Sequence, residues 1–589
     1  MQAKHASATA GEVVGWGAQA SWSAPTSFTA SGWIGRELFR LGVRHAFAVL
    51  GGGIAAFADG LARSEIRIHH TRHESGAAFA AIEAHFASDR PSLVVVTTGP
   101  GLYNALNGAM AARADGARLL LVSGATSRTQ RGRGAVQETT AQSLPPGLAS
   151  TGPLFHLAAQ PESMVELQHF LQQLACGWSR PGGFVAHLAL PWTLQTELVD
   201  LEHAPVVAPW GVAAAGAAAD AVDATLERLA AGSAALWIGH GARQAASEVR
   251  AFAEAAGLPV IASPRARGVF DEEHPLFVGV SGAGGHVTVP ELFAKARPET
   301  VLVLGSRLGE VTSFLSSAAT PSRAWIHVDV DPSAFGAAFP GVPGMGVTAE
   351  VRAFVSALDA RARATGWYAS RARVPMAMPH VERPARLEAR DGDVRHPYLM
   401  QVVQEQIVDA TDAVVMSEAG NAFTWCNHAL RFRTPGRYRT SAAWGSMGHF
   451  TAGCVGAALA TGRRAVAVVG DGAMLMTNEI NTAVAYQADA LWIVLNDAQL
   501  GLNEHGMSAL GMRPVETQLP RTDFAAFAES QGATGLRVET EAELEHTIAL
   551  AMTRRGPVVV DVRVDRTVPS PILALRIQSL AGHGGGRQR

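Results

Sequence analysis

Cysteine is scarce: three in 589 residues, at Cys176, Cys426 and Cys454. Their spacing excludes a metal–thiolate site, and an odd, sparse set excludes a disulfide framework. They read as small buried hydrophobes in a reducing compartment, so the chain is expected in the cytoplasm. Long apolar runs are missing too. Stretches such as 119–122 and 301–304 are strand length, far short of the roughly twenty residues a bilayer requires. The first residues lack a basic start followed by an apolar core, so no secretory signal is read there. Charge is low (17% of residues) and nearly balanced, with a net −3 and pI near 6.7. No basic run interleaves with aromatics, which excludes nucleic acid as an expected partner. What is abundant is apolar side chain, 48% of the total. That is enough for large cores and about three domains.

Strand-like and helix-like segments alternate along the whole chain, which predicts an α/β protein of three doubly wound parallel-sheet domains. The expected division is an arm over 1–26, a first domain over 27–190, a second over 211–363, a third over 396–572 and a polar, glycine-rich tail over 573–589. Two Pro-rich stretches, 205–210 and 371–395, read as linkers. Candidate strands of the second domain are 236–239, 260–262, 301–305 and 326–329. The first and third domains could be related, but no sequence repeat is strong enough to claim.

The chemistry concentrates in the third domain. The wholly apolar, β-branched run 465–469 reads as a strand buried on both faces. It ends in Gly470-Asp471-Gly472-Ala473, where glycines free the backbone to turn and to let a phosphate approach. A helical pattern over 474–487 follows, with Leu475, Ile480 and Val484 as packing positions. A second buried strand, 491–495, then closes in Asn496-Asp497. In a βαβ unit both strand ends point the same way, so Asp471 and Asp497 converge above the carboxyl edge of the sheet. Mg2+ takes about six oxygens and commonly bridges carboxylates and phosphates. A lone Gly-Asp-Gly reads more simply as a turn; the second strand end at this spacing favours a metal on a diphosphate.

These segments resemble the thiamine diphosphate signature, and 27–572 as a whole resembles the acetohydroxyacid synthase group of that superfamily. The resemblance implies thiamine diphosphate and Mg2+ as cofactors, with Asp471, Asp497 and the main-chain carbonyl of Gln499 as protein ligands. Members usually carry Asn where this chain has Asp497; aspartate keeps a hard oxygen and adds a charge. His73-Glu74-Ser75-Gly76-Ala77-Ala78 resembles the segment whose glutamate bonds N1′ of the aminopyrimidine and favours its imino tautomer. Alone, Glu74 reads as a first-turn charge complementing a helix dipole over 77–86. Gly51-Gly52-Gly53 resembles the glycine pair before the first helix in that group, and Gln137-Glu138-Thr139 the segment that places a glutamine beside the substrate adduct; Gly52 and Gln137 are candidate catalytic positions with Glu74. Thr97-Thr98-Gly99-Pro100-Gly101 follows the strand 93–96 and opens a helix, with Pro100 in its first turn. Coenzyme contacts are implied for Gly420 and Asn421, for Gly445 and Met447 in the loop under the coenzyme, and for Gly470, Gly472, Ala473, Gly501 and Leu502. The resemblance also implies an active site between subunits, with Glu74 serving a cofactor whose metal a second copy holds. The minimum is then a homodimer, with a homotetramer open.

The expected reaction is decarboxylation of a 2-oxo acid, pyruvate foremost, and carboligation to a second carbonyl compound, giving an acyloin or 2-hydroxy-2-acyl product. His69-His70 resembles the decarboxylase pair only in composition, since it lies too close before Glu74. The alternatives are a non-ligating decarboxylase or lyase and a flavin-dependent 2-oxo acid oxidase. FAD stays open: Gly305-Ser306-Arg307, Asp329-Val330-Asp331-Pro332 and Gly239-His240-Gly241 resemble segments that hold it, yet Gly-x-Gly alone is a weak signal. Beyond the metal loop, 502–507 has no tryptophan where acetohydroxyacid synthases shape the acceptor pocket, which implies a different acceptor. His505 there reads equally as a proton relay or acceptor contact and as a surface or capping residue.

Overall fold

The computed structural model describes residues 27–571, apart from 141, 201–203, 209, 214, 371–377 and 442. The expected arm and tail, and parts of both linkers, lie outside the described residues. Three six-stranded, all-parallel sheets build the molecule, each covered by helices on both faces. This is the expected fold class. In the first, β1 (His45–Val49), β2 (Arg67–His70), β3 (Ser92–Val96), β4 (Arg118–Ala125), β5 (Leu157–Ala159) and β6 (Phe184–Pro191) lie in the order β2-β1-β3-β4-β6-β5. The second comprises β7 (Ala234–Ile238), β8 (Val260–Ala262), β9 (Phe277–Val280), β10 (Thr300–Leu304), β11 (Ala324–Asp329) and β12 (Gly344–Thr348). Its order, β9-β8-β7-β10-β11-β12, is that of a dinucleotide-binding sheet.

In the third, β13 (Val414–Ser417), β14 (Tyr438–Thr440), β15 (Ala465–Gly470), β16 (Ala490–Asn496), β17 (Thr534–Val538) and β18 (Val558–Arg563) run β14-β13-β15-β16-β18-β17. The first and third sheets therefore share one strand order, a repeat that the side chains alone do not display. The central strands are Val-, Ile- and Leu-rich because both faces are buried, and β15 and β16 pair in register from Ala465/Ala490 to Gly470/Leu495. That register brings Asp471 and Asn496-Asp497 out at the same edge.

The first and third domains meet through α1 (Glu74–Ser88) and α4 (His449–Thr461). Contact is backbone-close: a Cβ on Gly456 would lie 1.9 Å from the Ala80 carbonyl oxygen, and one on Gly453 2.6 Å from Glu83 Cγ. At the same seam Arg439 makes a bidentate pair with Glu83 at 2.8 and 2.7 Å, and His449 Nε2 lies 2.9 Å from Glu83 Oε1. Burial pushes the Glu83 carboxyl up, but Arg439 and then His449 outweigh it and hold the group down at about 2.

One element differs from expectation. The helix expected over 474–487 is two pieces, a turn over Asp471–Met474 and a helix over Ile480–Tyr486. Ile480 is buried, but Leu475 is exposed rather than packed. The break lets Glu479 turn inward, where its carboxylate accepts from the amides of Arg72 and His73 just before α1. This tertiary capping of a first-domain helix by a third-domain side chain outweighs local helical periodicity.

Candidate functional site

At the ends of β15 and β16, Asp471 and Asp497 are both buried. Burial first, and the neighbouring Asp497 charge second, raise the Asp471 carboxyl to about 7, against the opposing pull of the Gly472, Ala498 and Gln499 amides. No lysine or arginine is among the groups that shift it. Asp497 is raised by burial as well, and it accepts from the Gln499 amide and side chain at 3.3 Å. Ala498 between them takes φ 55°, the left-handed turn that carries the chain round the pair. Asn496 is not part of the cluster, since its side chain donates to Thr522 and to Asp561.

Facing this pair is the start of α3 (Asn421–Ala429), whose cap, Gly420, has φ 99° and ψ −149°. A Cβ on Gly501, which opens α5 (Gly501–Ala509), would lie 2.6 Å from Asn421 Nδ2 and 2.7 Å from Asp497 Oδ2. Gly501 is therefore what lets Asn421 and Asp497 converge. Asn421 Oδ1 is buried without a partner. Gly472 sits under the tip of Met447, whose Cε would be 3.4 Å from a Cβ there. Ala473 is buried beside it, while Gly470, Gly445 and Leu502 are partly or fully open. Two neighbouring acids with no lysine or arginine ion pair among the described residues, an unpartnered amide oxygen and a glycine-cleared approach suit a hard divalent ion and an oxygen-rich anion.

The other rim belongs to the first domain. Glu74 begins α1, and its Oε2 accepts from Asn104 Nδ2 at 3.0 Å on α2 (Pro100–Asp115). One turn further along α2, Asn107 donates to Ser446 and accepts from the Trp444 indole at 2.7 and 2.8 Å. The Glu74 end of the first domain is thus tied to the 444–448 loop of the third. Gln137 holds φ 54° and lies over Gly99, its Oε1 3.5 Å from the hydroxyls of both Thr97 and Thr98. Gly51 and Gly53 press on those same threonines, whereas Gly52 faces open space. Glu74 and Gln137 accordingly share the 97–101 segment as their common neighbour, and Gly52 is brought near it only by Gly51 and Gly53 on either side.

Asn104 and Glu479 escaped sequence reading. Asn104 and Asn107 are polar residues three apart on an otherwise apolar, small-residue helix, a signal that could have been used. Glu479 offers none, because its first-domain partners are more than four hundred positions away. His505 Nε2 bonds the Arg566 carbonyl at 3.0 Å, so one ring nitrogen is engaged by main chain. His70 is exposed on the edge strand β2, while His69 is buried 3.0 Å from His45. In the second domain, the glycines read as a flavin cradle meet one another: a Cβ on Gly239 would lie 2.1 Å from the Gly305 carbonyl, and one on Gly305 2.6 Å from Gly241 Cα. Asp331 caps its own turn through Ser333. These segments bring two strand ends against each other, backbone to backbone.

A duplicated parallel sheet, with paired acids at the strand ends of one copy and a first-turn helix glutamate on the other, defines a cofactor-dependent enzyme. Models of the thiamine pyrophosphate enzyme N-terminal, central and C-terminal domains match residues 28–144, 222–358 and 418–562. The chain belongs to the thiamine pyrophosphate enzyme family. It is 31% identical over 529 residues (86% of this chain, 92% of the relative) to the Mycobacterium tuberculosis protein named "Putative acetolactate synthase large subunit IlvB2". Identity is 26% over 548 residues (91% and 94%) to acetolactate synthase isozyme 1 large subunit of Escherichia coli. Benzoylformate decarboxylase from Polynucleobacter necessarius shares the fold with TM-score 0.80 at 20% identity, over 92% of this chain and 99% of that one.

Proposed function

We propose that the protein uses thiamine diphosphate and Mg2+ to decarboxylate a 2-oxo acid, pyruvate foremost, and to join the acyl unit to a second carbonyl compound. The observation that carries this reading is the buried Asp471–Asp497 pair at two adjoining strand ends, facing the unpartnered Asn421 amide oxygen. Asp471, Asp497 and the Gln499 carbonyl would hold Mg2+, and Gly420, Asn421, Gly470, Gly472, Ala473, Gly501 and Leu502 the diphosphate. Gly445 and Met447 would support the ring system. Glu74, aimed by Asn104, would hold the proton exchanged at the pyrimidine nitrogen. The coenzyme, when bound, supplies the electron sink for loss of carbon dioxide and carries the acyl unit as a nucleophile. Gln137 and the open face at Gly52 would place the acceptor. Similarity to acetolactate synthases along nearly the whole chain supports ligation over simple release of an aldehyde.

This reading takes the working unit to be at least a homodimer in the cytoplasm, with Glu74 of one copy serving the cofactor held by Asp471 of another. Exposed Tyr103, Trp444, Leu475 and Met476 around the two rims support a second copy covering them. Among the described residues no helix is long and apolar enough to cross a membrane. The test is product identification with pyruvate alone and with added aldehydes, ketones and 2-oxo acids. Acyloin or 2-hydroxy-2-acyl products support the reading; aldehyde alone, with every acceptor, overturns ligation. Mixing Glu74→Gln with Asp471→Ala chains tests the sharing: activity returns if two copies build one site, and does not if each chain builds its own.

A further inference from the structure

Away from the strand ends, a cavity of about 260 Å³ lies where all three domains meet. Seven arginines and two carboxylates line it. Four of the arginines have a close carboxylate: Arg267 with Glu272, Arg439 with Glu83, Arg463 with Asp412 and Arg464 with Asp489. The other three do not. Arg243 comes no nearer than 3.7 Å to Asp89, and Arg265 no nearer than 3.6 Å to an Asp115 carboxylate oxygen. Arg437 is held only by the carbonyls of Val408, Thr411 and Ala413.

Arg265 Nε is moreover buried without a partner. Burial lowers the proton affinity of all three guanidiniums, and Arg439 further opposes the charges of Arg243 and Arg265. His240, in the same wall, is kept neutral by burial and by Arg265, Arg439 and Arg243. Arg243, Arg265 and Arg437 are all partly buried, and a guanidinium withdrawn from water without a carboxylate at hydrogen-bond distance is poorly compensated. The cavity thus presents three guanidiniums without a carboxylate at hydrogen-bond distance, open to an anion. Guanidinium forks match phosphate oxygens bidentately, and the cavity is below the size of a drug-like or dinucleotide site.

We propose that this junction is a second anion site, distinct from the coenzyme cleft, that takes the phosphoryl group of a small phosphate-bearing molecule between Arg243, Arg265 and Arg437. The site stands whatever the second carbonyl substrate proves to be. Its wall includes Glu83 and Arg439, which join α1, the helix of Glu74, to the third domain that carries α4.

The experiment is calorimetric titration of the full-length protein, saturated with thiamine diphosphate and Mg2+, with inorganic phosphate and with glycerol 3-phosphate at low ionic strength, where screening is weak. Saturable binding at one site per chain is expected, with coenzyme retained. Arg243→Gln and Arg437→Gln should each weaken it about tenfold or more, the loss of one charge-assisted contact. Exposed Arg323→Gln should leave it unchanged. Absence of saturable binding, equal affinity in the variants, or displacement of the coenzyme by the probe would overturn the proposal. If Arg437→Gln fails to fold, because that side chain ties three carbonyls, Arg243→Gln, with folding checked by thermal melting, decides alone.

Discussion

Replacing Glu83 by Gln tests the seam between the first and third domains. Held at about 2 against an ordinary 4.5, the fully buried carboxylate contributes about 3 kcal/mol at neutral pH, since each pH unit is worth about 1.4 kcal/mol. Glutamine keeps the shape but leaves Arg439 with only Asp115, at 3.4 Å. Removing one partner of a buried pair costs about 3–5 kcal/mol, so the two routes agree. Urea unfolding at pH 7 should show the loss in the transition that separates the domains. The sign with pH is fixed: a depressed acid stabilises fully above its unfolded value near 4.5, and the contribution vanishes as pH falls through about 2. The wild-type protein should therefore lose stability over that window, and the variant should lack that part of the slope. A variant within about 1 kcal/mol of wild type, or one keeping the same acid slope, would refute the electrostatic account of the seam.

Glu74→Gln should lower turnover by about 10²- to 10⁴-fold while calorimetry shows coenzyme affinity little changed; normal turnover would remove Glu74 from the chemistry. Metal- and coenzyme-free protein should melt lower at pH 8 than at pH 5. The raised Asp471 acid favours folding while protonated, and that benefit is lost as pH rises from its unfolded value near 3.8 through about 7. Added Mg2+ and thiamine diphosphate should abolish that difference, and a pH-independent melt would contradict the buried acid pair. Gly456→Ala should cost about 1–3 kcal/mol, because the new methyl meets the Ala80 carbonyl and backbone cannot yield as a side chain does. A neutral outcome in thermal melting would mean the helices part easily.

Much of the fold was legible because it is written locally. The apolar runs that became β15 and β16 are bounded by Gly470-Asp471-Gly472 and Asn496-Asp497, so strand ends and the chemistry riding on them are read together. Glu74 was legible for the same reason, at the start of an alanine-rich helix. Two kinds of feature were not. One is the shared strand order of the first and third sheets, since topology constrains which backbones pair and not which side chains fill them. The other is contact between distant segments. Arg439 and Glu83 are 356 positions apart, and nothing near either names its partner. The helix broken before Ile480 belongs here too, because its periodicity is sound and only the distant need of Arg72 and His73 for an acceptor interrupts it.

The glycine contacts between α1 and α4 have a mechanical consequence. Helices that touch main chain to main chain, clamped by a buried charge cluster, cannot swing apart like jaws. Within one chain the Glu74 rim and the Asp471 rim thus sit at a fixed span, as on a caliper locked at one setting. Traffic into such a cleft must then pass beneath the rim segment that carries the exposed Leu510, Met512 and Val515. Exchange of one reactant for the next is then a matter of short loops lifting, while the domains themselves stay still.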